Sequence, residues 1–372
     1  MRIKSLRLKN FRNLEDLNLQ FANRVNIFLG ENGQGKSNIL EAISLLVLNE
    51  SFRYADNENL IQLHQPAANL EALFENQGLD YNIRMQILKS RKHVTWNEKK
   101  VSHGSLRQKF YCLVFSPESL AFIKEASDER RFLVDEAIVG TQPFGEVLVS
   151  DFRKVLKTRN KVLRDHAEGL TKPQQTHELL ASLEPSYVRL AEALTWARIQ
   201  LLRDIRADFL EAMSFIMKRP VDISVEYRIS QQSSLENSLE SINAAIRQRL
   251  VELQSAELAA GTSLVGPHKH EIVFLYDQKD SRFYCSQGQQ RALILSFKMA
   301  QIVYHRRVHG TYPILLLDDV LSELDVVKRG ALIEFLHNTQ TQIFLTTTDL
   351  HLPEEMTRTE SKVFEVKEGR IL

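Results

Sequence analysis

Cysteine is scarce in this 372-residue sequence. Cys112 and Cys285 lie far apart and outside any C-x-x-C spacing, so neither a disulfide framework nor a zinc site is predicted. No segment approaches the roughly 20 apolar residues needed to cross a bilayer, and the N-terminus lacks the apolar middle part of a signal peptide. A transporter or a secreted protein is therefore disfavoured, and a reducing cytoplasm is the expected compartment.

An excess of charge of either sign is also missing. Lys and Arg number 48 and Asp and Glu 47, which gives a formal net charge of +1. Any affinity for nucleic acid must therefore come from a local patch. The 43% hydrophobic content is enough for one large or two modest cores without disulfides or metals.

The hydrophobic pattern divides the chain into three segments. Residues 1–116 contain short alternating apolar patterns, which are typical of strands. Residues 117–221 have the longer period of helices, and residues 222–372 return to alternating strand and helix patterns. This order predicts an α/β domain, built from the first and third segments, with an inserted helical arm.

A glycine-rich loop lies between the apolar strand pattern at residues 25–29 and a helix pattern. The loop consists of Gly30, Glu31, Asn32, Gly33, Gln34, Gly35, Lys36 and Ser37. It fits G-x-x-x-x-G-K-[ST], in which backbone N–H groups and a helix N-terminus surround phosphates. Lys36 is expected to reach the β- and γ-phosphates of ATP, and Ser37 to bind Mg²⁺. The flanking strand and helix disfavour the alternative of a chance glycine turn.

An apolar strand pattern that ends in two acids supplies a second motif, ILLLDDVLSELD at residues 314–325. Asp318 is expected to bind Mg²⁺ directly or through water, and Asp319 to orient or deprotonate an attacking water molecule. Taken alone the motif is weak, because an aspartate after a buried strand often only caps the next turn. Together with the glycine loop it predicts an ATPase whose catalytic residues are Lys36, Asp318 and Asp319.

Nearly the whole chain separates these two motifs, which favours an ATP-binding-cassette type of head over a compact nucleotide-binding domain. Such a head has a signature loop before the acidic strand, and Ser286, Gly288 and Gln289 in SQGQ resemble one. The alternative is a serine that only caps a helix. Residues 322–325 resemble the D-loop and residues 346–349, TTTD, the switch strand. Thr348 stands where many cassette ATPases have histidine, and threonine cannot titrate near neutral pH.

Four further segments extend the likeness along the chain: NFRN at 10–13, FSPESLAFIKEASDERRFLVD at 115–135, KTRNKVL at 157–163 and GPHKHEI at 266–272. With the motifs above, they resemble the RecF family of bacterial DNA replication and repair proteins from end to end. The family usually has glycine and proline where this chain has Glu125 and Ser127. The resemblance implies an ABC/SMC-type P-loop ATPase head, formed by residues 1–116 and 222–372, with a helical lid at 117–221.

The same resemblance implies a function. ATP would drive head-to-tail dimerisation, Ser286, Gly288 and Gln289 would contact the ATP held by the partner's loop, and weak, DNA-stimulated hydrolysis would release the dimer. The implied DNA ligands are single strands, gaps and junctions between single and double strands. The implied protein partner is RecR and, through it, RecO and the loading of RecA in repair, replication restart and the SOS response.

Two basic patches are candidates for the DNA contact. Arg153, Lys157, Lys161 and Arg164 share one face of a helix at 151–166, with Lys154 and Arg159 towards its flanks. The alternative is an ordinary solvated helix face. The second patch covers residues 84–109 around Trp96, which could stack a base or could belong to a sheet core with lysines along an edge strand. Neither patch resembles a base-reading module, so sequence-tolerant binding is expected.

Other interpretations are open to test. His268 and His270 lack further metal ligands nearby, so a loop role is favoured. A larger SMC-like or nuclease-linked ATPase would need long coiled-coil arms, a zinc hook or a nuclease domain, for which these residues give no signal. A non-hydrolysing nucleotide-binding scaffold is opposed by the intact Lys36, Asp318 and Asp319.

Overall fold

The computed structural model describes residues 1–53, 55–101, 106–107, 109–120, 122–124, 126–348 and 360–372. The predictions at Glu125 and Asp349 lie outside these residues. The chain forms two compact units. The first comprises Met1–Ala121, Glu211–Pro220 and Gln287–Leu372, and the second Phe122–Leu210 and Val221–Ser286. No helix in the described ranges is long and apolar enough to cross a bilayer.

An antiparallel sheet forms one layer of the first unit. Its strands, in order across the sheet, are β2 (Leu14–Gln20), β1 (Arg2–Phe11), β4 (Ala68–Asn76), β5 (Leu79–Leu88), β6 (Arg91–Trp96) and β7 (Lys99–Lys100). Side chains alternate between buried and exposed along β1, as in the pair Leu6 and Arg7. The sheet therefore has one face in the core and one in solvent.

A second sheet of the first unit is mainly parallel. In order it contains β16 (Arg370–Ile371), β15 (Ser361–Lys367), β3 (Val25–Leu29), β14 (Ile343–Thr347), β13 (Ile314–Asp318) and β8 (Cys112–Phe115). The central strands β14 and β13 are buried throughout, as expected for a sheet covered on both faces. Helix α1 (Lys36–Leu48) packs against strands of both sheets.

Other helices of the first unit flank these sheets. They are α2 (Asn57–Leu60), α3 (Pro117–Leu120), α9 (Gln287–His309) and α10 (Val326–Asn338). A 3₁₀ turn, Val320–Glu323, follows β13.

The strand order places the two predicted motifs together at the carboxyl ends of inner strands of the parallel sheet. The glycine loop follows β3 and the paired acids end β13, with β14 alone between these strands. All three strands run in the same direction, so their carboxyl ends meet where ligands bind in open α/β sheets.

The second unit combines helices with a small antiparallel sheet. The helices are α4 (Ser127–Thr141), α5 (Gly145–Ala167), α6 (Pro173–Met217, whose last turns belong to the first unit), α7 (Leu239–Ala260) and α8 (Ser281–Tyr284). The sheet has the order β10 (Gln232–Ser233), β9 (Ile223–Ile229), β11 (Glu271–Tyr276) and β12 (Lys279–Asp280).

The observed division differs from the predicted one for residues 222–286. The pattern assigned them to the C-terminal half of the head, but their contacts group them with the helices of the second unit. The reason is that β9 and β11 pair with each other in a sheet of their own. An alternating pattern indicates that a strand exists but does not indicate which sheet it joins.

Helix α6 contains an internal proline. The helix runs from Pro173 to Met217 and passes through Pro185. Pro185 removes one backbone donor, but it lies on the exposed side of the helix, where water can satisfy the freed carbonyl group.

Buried ion pairs join the helices of the second unit. Arg159 on α5 donates to both carboxylate oxygens of Glu257 on α7, with the shorter contact at 2.7 Å, and both residues are almost fully buried. Arg159 also donates to the Ser263 hydroxyl at 2.7 Å. The prediction that Arg159 flanks an exposed basic stripe is therefore wrong, because its charge is neutralised inside the unit.

Candidate functional site

The glycine loop has a backbone that side chains would disrupt. Gly35 has φ = 110°, and a Cβ there would lie 2.8 Å from Asn13 Oδ1. A Cβ on Gly30 would lie 2.3 Å from the carbonyl oxygen of Val366. Glycine at these two positions therefore lets the loop pass close to its neighbours before α1 begins.

Residues from both ends of the chain hold this loop. Gln34 receives hydrogen bonds from the backbone N–H groups of Gly369, to its carbonyl oxygen at 2.9 Å, and Glu368, to its side-chain oxygen at 2.7 Å. The Asn13 amide also donates to the Gln34 carbonyl oxygen, at 3.2 Å. The β1–β2 and β15–β16 turns thus fix the loop, which explains part of the NFRN segment.

Lys36 occupies the inside of the loop. Its ammonium group donates to the carbonyl oxygens of Gly30 and Glu31, both at 2.7 Å, and the residue is 6% exposed. Burial lowers the pKa of Lys36, whereas Asp319 and Asp318 act in the opposite direction. Phosphate oxygens would be a better match for this enclosed cation than the two carbonyl groups.

Asp318 is buried beside a hydroxyl group of the loop. It is 4% exposed, and burial raises the pKa of its carboxyl group. Hydrogen bonds from Ser37 and Thr346 and the charge of Arg53 oppose that rise in pKa, while Glu118 adds to it. Ser37 and Asp318, predicted from separate motifs, are therefore in direct contact. Hydroxyl and carboxylate oxygens are the ligands that Mg²⁺ prefers, so the residues fit that ion.

Thr346 on β14 links the two acids. Its hydroxyl donates to Asp318 Oδ1 at 2.9 Å and accepts from the Asp319 backbone N–H at 2.8 Å. Asp319 has a left-handed backbone, with φ = 51°, a conformation that costs a non-glycine residue about 1–3 kcal/mol. A single hydroxyl group thus orients one carboxylate and supports the strained backbone of the other acid.

Arg53 also lies beside Asp318, although it belongs to none of the predicted motifs. Its Nη2 lies 3.6 Å from Asp318 Oδ2, and its Nη1 donates to Asn38 Oδ1 at 3.2 Å. The Arg53 side chain is 37% exposed. It therefore places a solvent-accessible positive charge beside the buried carboxylate.

The proposed signature residues begin α9. Ser286 is exposed immediately before the helix, and Gly288 and Gln289 are half-buried in its first turn. Arg291, one turn further, forms an ion pair with Glu323 at 2.6 Å and donates to its carbonyl oxygen at 2.7 Å. The start of α9 is thus tied to the 3₁₀ turn that follows Asp319.

The structure describes the predicted switch segment as far as Thr348. Thr347 is the last residue of β14, and its carbonyl oxygen accepts from the Gly30 N–H at 3.3 Å. Thr348 follows as an exposed residue. Within the described part of this strand, Thr346 is therefore the side chain that contacts both acids.

The predicted basic stripe lies in the second unit, on α5. Arg153, Lys157, Lys161 and Arg164 are all exposed, and within the described part of the chain none of them forms an ion pair. Lys154 differs, since it pairs with Asp151 at 2.9 Å. The four charges on this face are consequently available to an external anion.

The structure divides the second basic patch between the two faces of the antiparallel sheet. Trp96 packs against Tyr81 and Phe110, so its ring belongs to the sheet core and is not presented to a base. Lys92 and Arg107 are turned towards backbone carbonyl groups at the end of α1. The sheet-core alternative is correct for Trp96, because its position faces inward on β6.

The two histidines that could have suggested a metal are used within the second unit. His268 Nε2 lies 3.0 Å from the Ser263 carbonyl oxygen, and His270 Nδ1 lies 2.9 Å from the Tyr227 hydroxyl. Burial lowers the pKa of His268 to about 4. These contacts give both side chains a structural role.

Known proteins resemble this chain over its full length. The family model described as RecF/RecN/SMC N terminal domain matches residues 2–371. The DNA replication and repair protein RecF of Lactobacillus delbrueckii subsp. bulgaricus is 34% identical, with 100% of this chain and 97% of that protein covered. RecF of Halalkalibacterium halodurans is 31% identical over 100% of this chain and 99% of its own length.

Solved structures agree with these relatives. The recombination mediator protein RecF in complex with ATP, from the RecFOR pathway, superposes with a TM-score of 0.88 at 26% identity, covering 100% of this chain and 96% of that chain. The Smc head domain of Pyrococcus furiosus superposes with a TM-score of 0.55 at 14% identity, covering 100% and 95%. The latter is a likeness of fold alone, that of the SMC-type ATPase head.

Proposed function

The chain belongs to the RecF family of DNA replication and repair proteins, and on that premise we propose that it acts as an ATP-controlled, DNA-binding switch in recombinational repair. The observation that carries the proposal is the contact between Ser37 of the glycine loop and the buried Asp318. These residues come from distant parts of the chain and have no need of each other in a merely structural loop. A solved RecF protein described as an ATP complex supports ATP as the ligand.

The residues of the loop would share the work of binding. The backbone N–H groups of the loop and the N-terminus of α1 would hold the β- and γ-phosphates, with Lys36 released from its two carbonyl partners. Ser37 and Asp318 would hold Mg²⁺, which would neutralise negative charge on the phosphates. Asp319 would orient or deprotonate the attacking water molecule.

The second half of the site is proposed to come from another copy of the chain. Ser286, Gly288 and Gln289 would contact the γ-phosphate held by a partner, in a head-to-tail dimer that ATP assembles and weak, DNA-stimulated hydrolysis releases. The bond from Arg291 to Glu323 supports this proposal, because it connects the signature helix to the turn beside Asp319. ATP would then control assembly by binding the dimer better than the monomer.

In the cell, we propose a role in the cytoplasm on single-stranded or gapped DNA and on junctions between single and double strands. RecR would be the direct partner, and RecO and RecA loading would follow from it, during repair, replication restart and the SOS response. Arg153, Lys157, Lys161 and Arg164 are exposed and form no ion pair with the residues that the structure describes, which supports a DNA contact on α5.

Sedimentation velocity with and without ATP, in the presence of gapped, single-stranded or blunt duplex DNA, tests these proposals together. ATP and Mg²⁺ should convert monomer to dimer, and Lys36→Ala or Ser286→Arg should prevent the conversion. A protein that stays monomeric at saturating ATP and Mg²⁺ would exclude the dimer. Dimerisation without measurable ATP turnover would instead favour a non-hydrolysing scaffold.

A further inference from the structure

The solvent face of the antiparallel sheet in the first unit contains a groove of about 440 Å³. Its polar lining comes from β1, β4, β5 and β6 and includes Arg7, Lys9, Asn69, Arg84, Gln86 and His93. The groove lies on the face opposite the core, so these side chains do not contribute to the packing of the sheet. Their arrangement needs another explanation.

The strand register arranges these side chains in two rows. Arg7 lies opposite Glu71 on β4, which lies opposite Arg84 on β5. In the second row, Lys9 lies opposite Asn69, followed by Gln86 and His93 on the next strands. Neighbouring strands are about 4.8 Å apart, so the second row extends for about 14 Å, and the rows are separated by about 6.8 Å.

The residues that line the groove include three cations, Arg7, Lys9 and Arg84, and one acid, Glu71, while the exposed Asp16 on β2 lies opposite Lys9 at the end of the second row. Glu71, the acid of the first row, accepts from Arg84 at 2.8 Å. In the described ranges Arg7 and Lys9 form no hydrogen bond through their side chains and no ion pair. Arg91 and Lys100, exposed on the same face at its far edge, are also without an ion pair in those ranges.

We propose that this groove binds the sugar–phosphate backbone of a nucleic acid. The inference rests on the proposed function and adds to it a second DNA contact, on the first unit. Exposed guanidinium and ammonium groups that outnumber the acid beside them, interspersed with amides, suit a regular series of phosphates. A protein partner would instead need an apolar or aromatic centre, and the groove lining includes none of the large exposed apolar side chains of the described chain.

The test compares Arg7→Gln/Lys9→Gln with a control that removes the same charge elsewhere. In the control, Lys89→Gln/Lys218→Gln, both lysines are exposed but already paired, with Glu58 and Glu334. Affinity for a fluorescent single-stranded oligonucleotide is measured between 50 and 200 mM salt, and ATP binding and thermal melting report whether each variant is folded. A charge-preserving variant, Arg7→Lys/Lys9→Arg, completes the set.

Each lost phosphate contact should reduce the slope of log affinity against log salt by about 0.7, and two contacts by about 1.4. The ratio of affinities at 50 and 200 mM salt should then fall about sevenfold in the Gln variant. The same ratio should stay at its wild-type value in the control and in the charge-preserving variant. A wild-type slope in the folded Gln variant would overturn this inference while leaving DNA binding intact. An absence of DNA binding by the wild type would overturn the proposed function as well. Binding of the same variants to poly-glutamate is measured in parallel. If the Gln variant loses binding to poly-glutamate but keeps wild-type DNA binding, the groove binds an acidic protein and the inference is overturned.

Discussion

Thr346→Val is the most informative substitution at the nucleotide site, because it replaces one hydroxyl with a methyl group of similar size. It would remove the bond to Asp318 Oδ1 and the acceptor of the Asp319 N–H without opening a cavity. Thr346 is 1% exposed, so water cannot take the place of its hydroxyl. Thr346 would thus act as a positioning residue for the two acids.

The expected loss follows from the two bonds. A hydrogen bond to a charged group contributes about 1.5–3 kcal/mol, and a poorly solvated N–H group without an acceptor costs about 1 kcal/mol. If only the first bond matters in the transition state, turnover falls by between about tenfold and about 160-fold. If both matter, it falls up to about 1000-fold, since each 1.36 kcal/mol is a factor of ten.

The pH profile separates this effect from a general loss of stability. The Thr346 hydroxyl favours the ionised form of Asp318, so its removal should raise a pKa that burial has already raised. Asp318 must be ionised to bind Mg²⁺, and activity is lost as the pH falls through this pKa. The acid limb of ATP turnover should therefore move to higher pH in Thr346→Val.

Steady-state turnover over a pH series, with Mg²⁺ titrated at each pH, measures both effects. Thr346→Ser keeps the hydroxyl and should retain the wild-type acid limb, while losing roughly 1 kcal/mol of stability with its methyl group. Wild-type turnover and an unmoved acid limb in folded Thr346→Val would refute the positioning role.

Three further changes test neighbouring conclusions. Arg53→Ala should shift the same acid limb in the same direction but less, because this guanidinium is partly exposed and screened; a shift larger than that of the threonine variant would contradict this ranking. Lys157→Glu/Lys161→Glu should weaken DNA binding and flatten its salt dependence by about 0.9 per duplex phosphate contact, and unchanged affinity would exclude α5 from the interface. Glu257→Ala leaves a buried guanidinium unpaired, so the urea midpoint should fall by the equivalent of about 3–5 kcal/mol. Glu252→Ala, an exposed change on the same helix, should leave the midpoint unmoved.

The sequence predicted the strands and helices of the site because each has a local signal. The strand before Gly30 and the strand that ends in the paired acids both have apolar patterns of the correct length, and the structure confirms them within one residue. The glycine pattern likewise depends on neighbours in the chain. Such local features can be predicted without knowing the order of the strands in the sheet.

The contacts of Thr346 and Arg53 were not predictable in this way. Thr346 reaches the acids only because β14 lies between β3 and β13, and this order is decided by packing over the whole unit. The family pattern pointed to Thr348, which lies beyond the end of β14, whereas Thr346 within the strand contacts both acids. Arg159 was misassigned for a related reason: helical periodicity places it near a flank, and only its partner Glu257, 98 residues away, explains its burial.

The set of residues that line the groove on the antiparallel sheet was also not predictable from local sequence patterns. Arg84 belonged to a patch that was visible as a run of basic residues, whereas Arg7 comes from the other end of the segment and joins that patch through strand pairing. A run of charge in the sequence therefore located one part of the surface. The pairing of β1 with β4 and β5 determined the rest.

The contacts around the loop allow a sharper statement about how ATP would control assembly. Within one chain, Gln34 is held by residues from both termini, and Asp318 is held by Ser37 and Thr346, all inside the first unit. This half-site is thus already organised before a partner arrives, and organised sites need little further ordering to bind. Most of the ATP affinity should therefore come from the single chain, while the partner's signature residues add the part that drives dimerisation. In Ser286→Arg, calorimetry should still detect ATP binding, weakened only by the part that dimerisation contributes, while dimerisation and turnover are lost; a complete loss of ATP binding would mean that the single chain does not form an organised half-site.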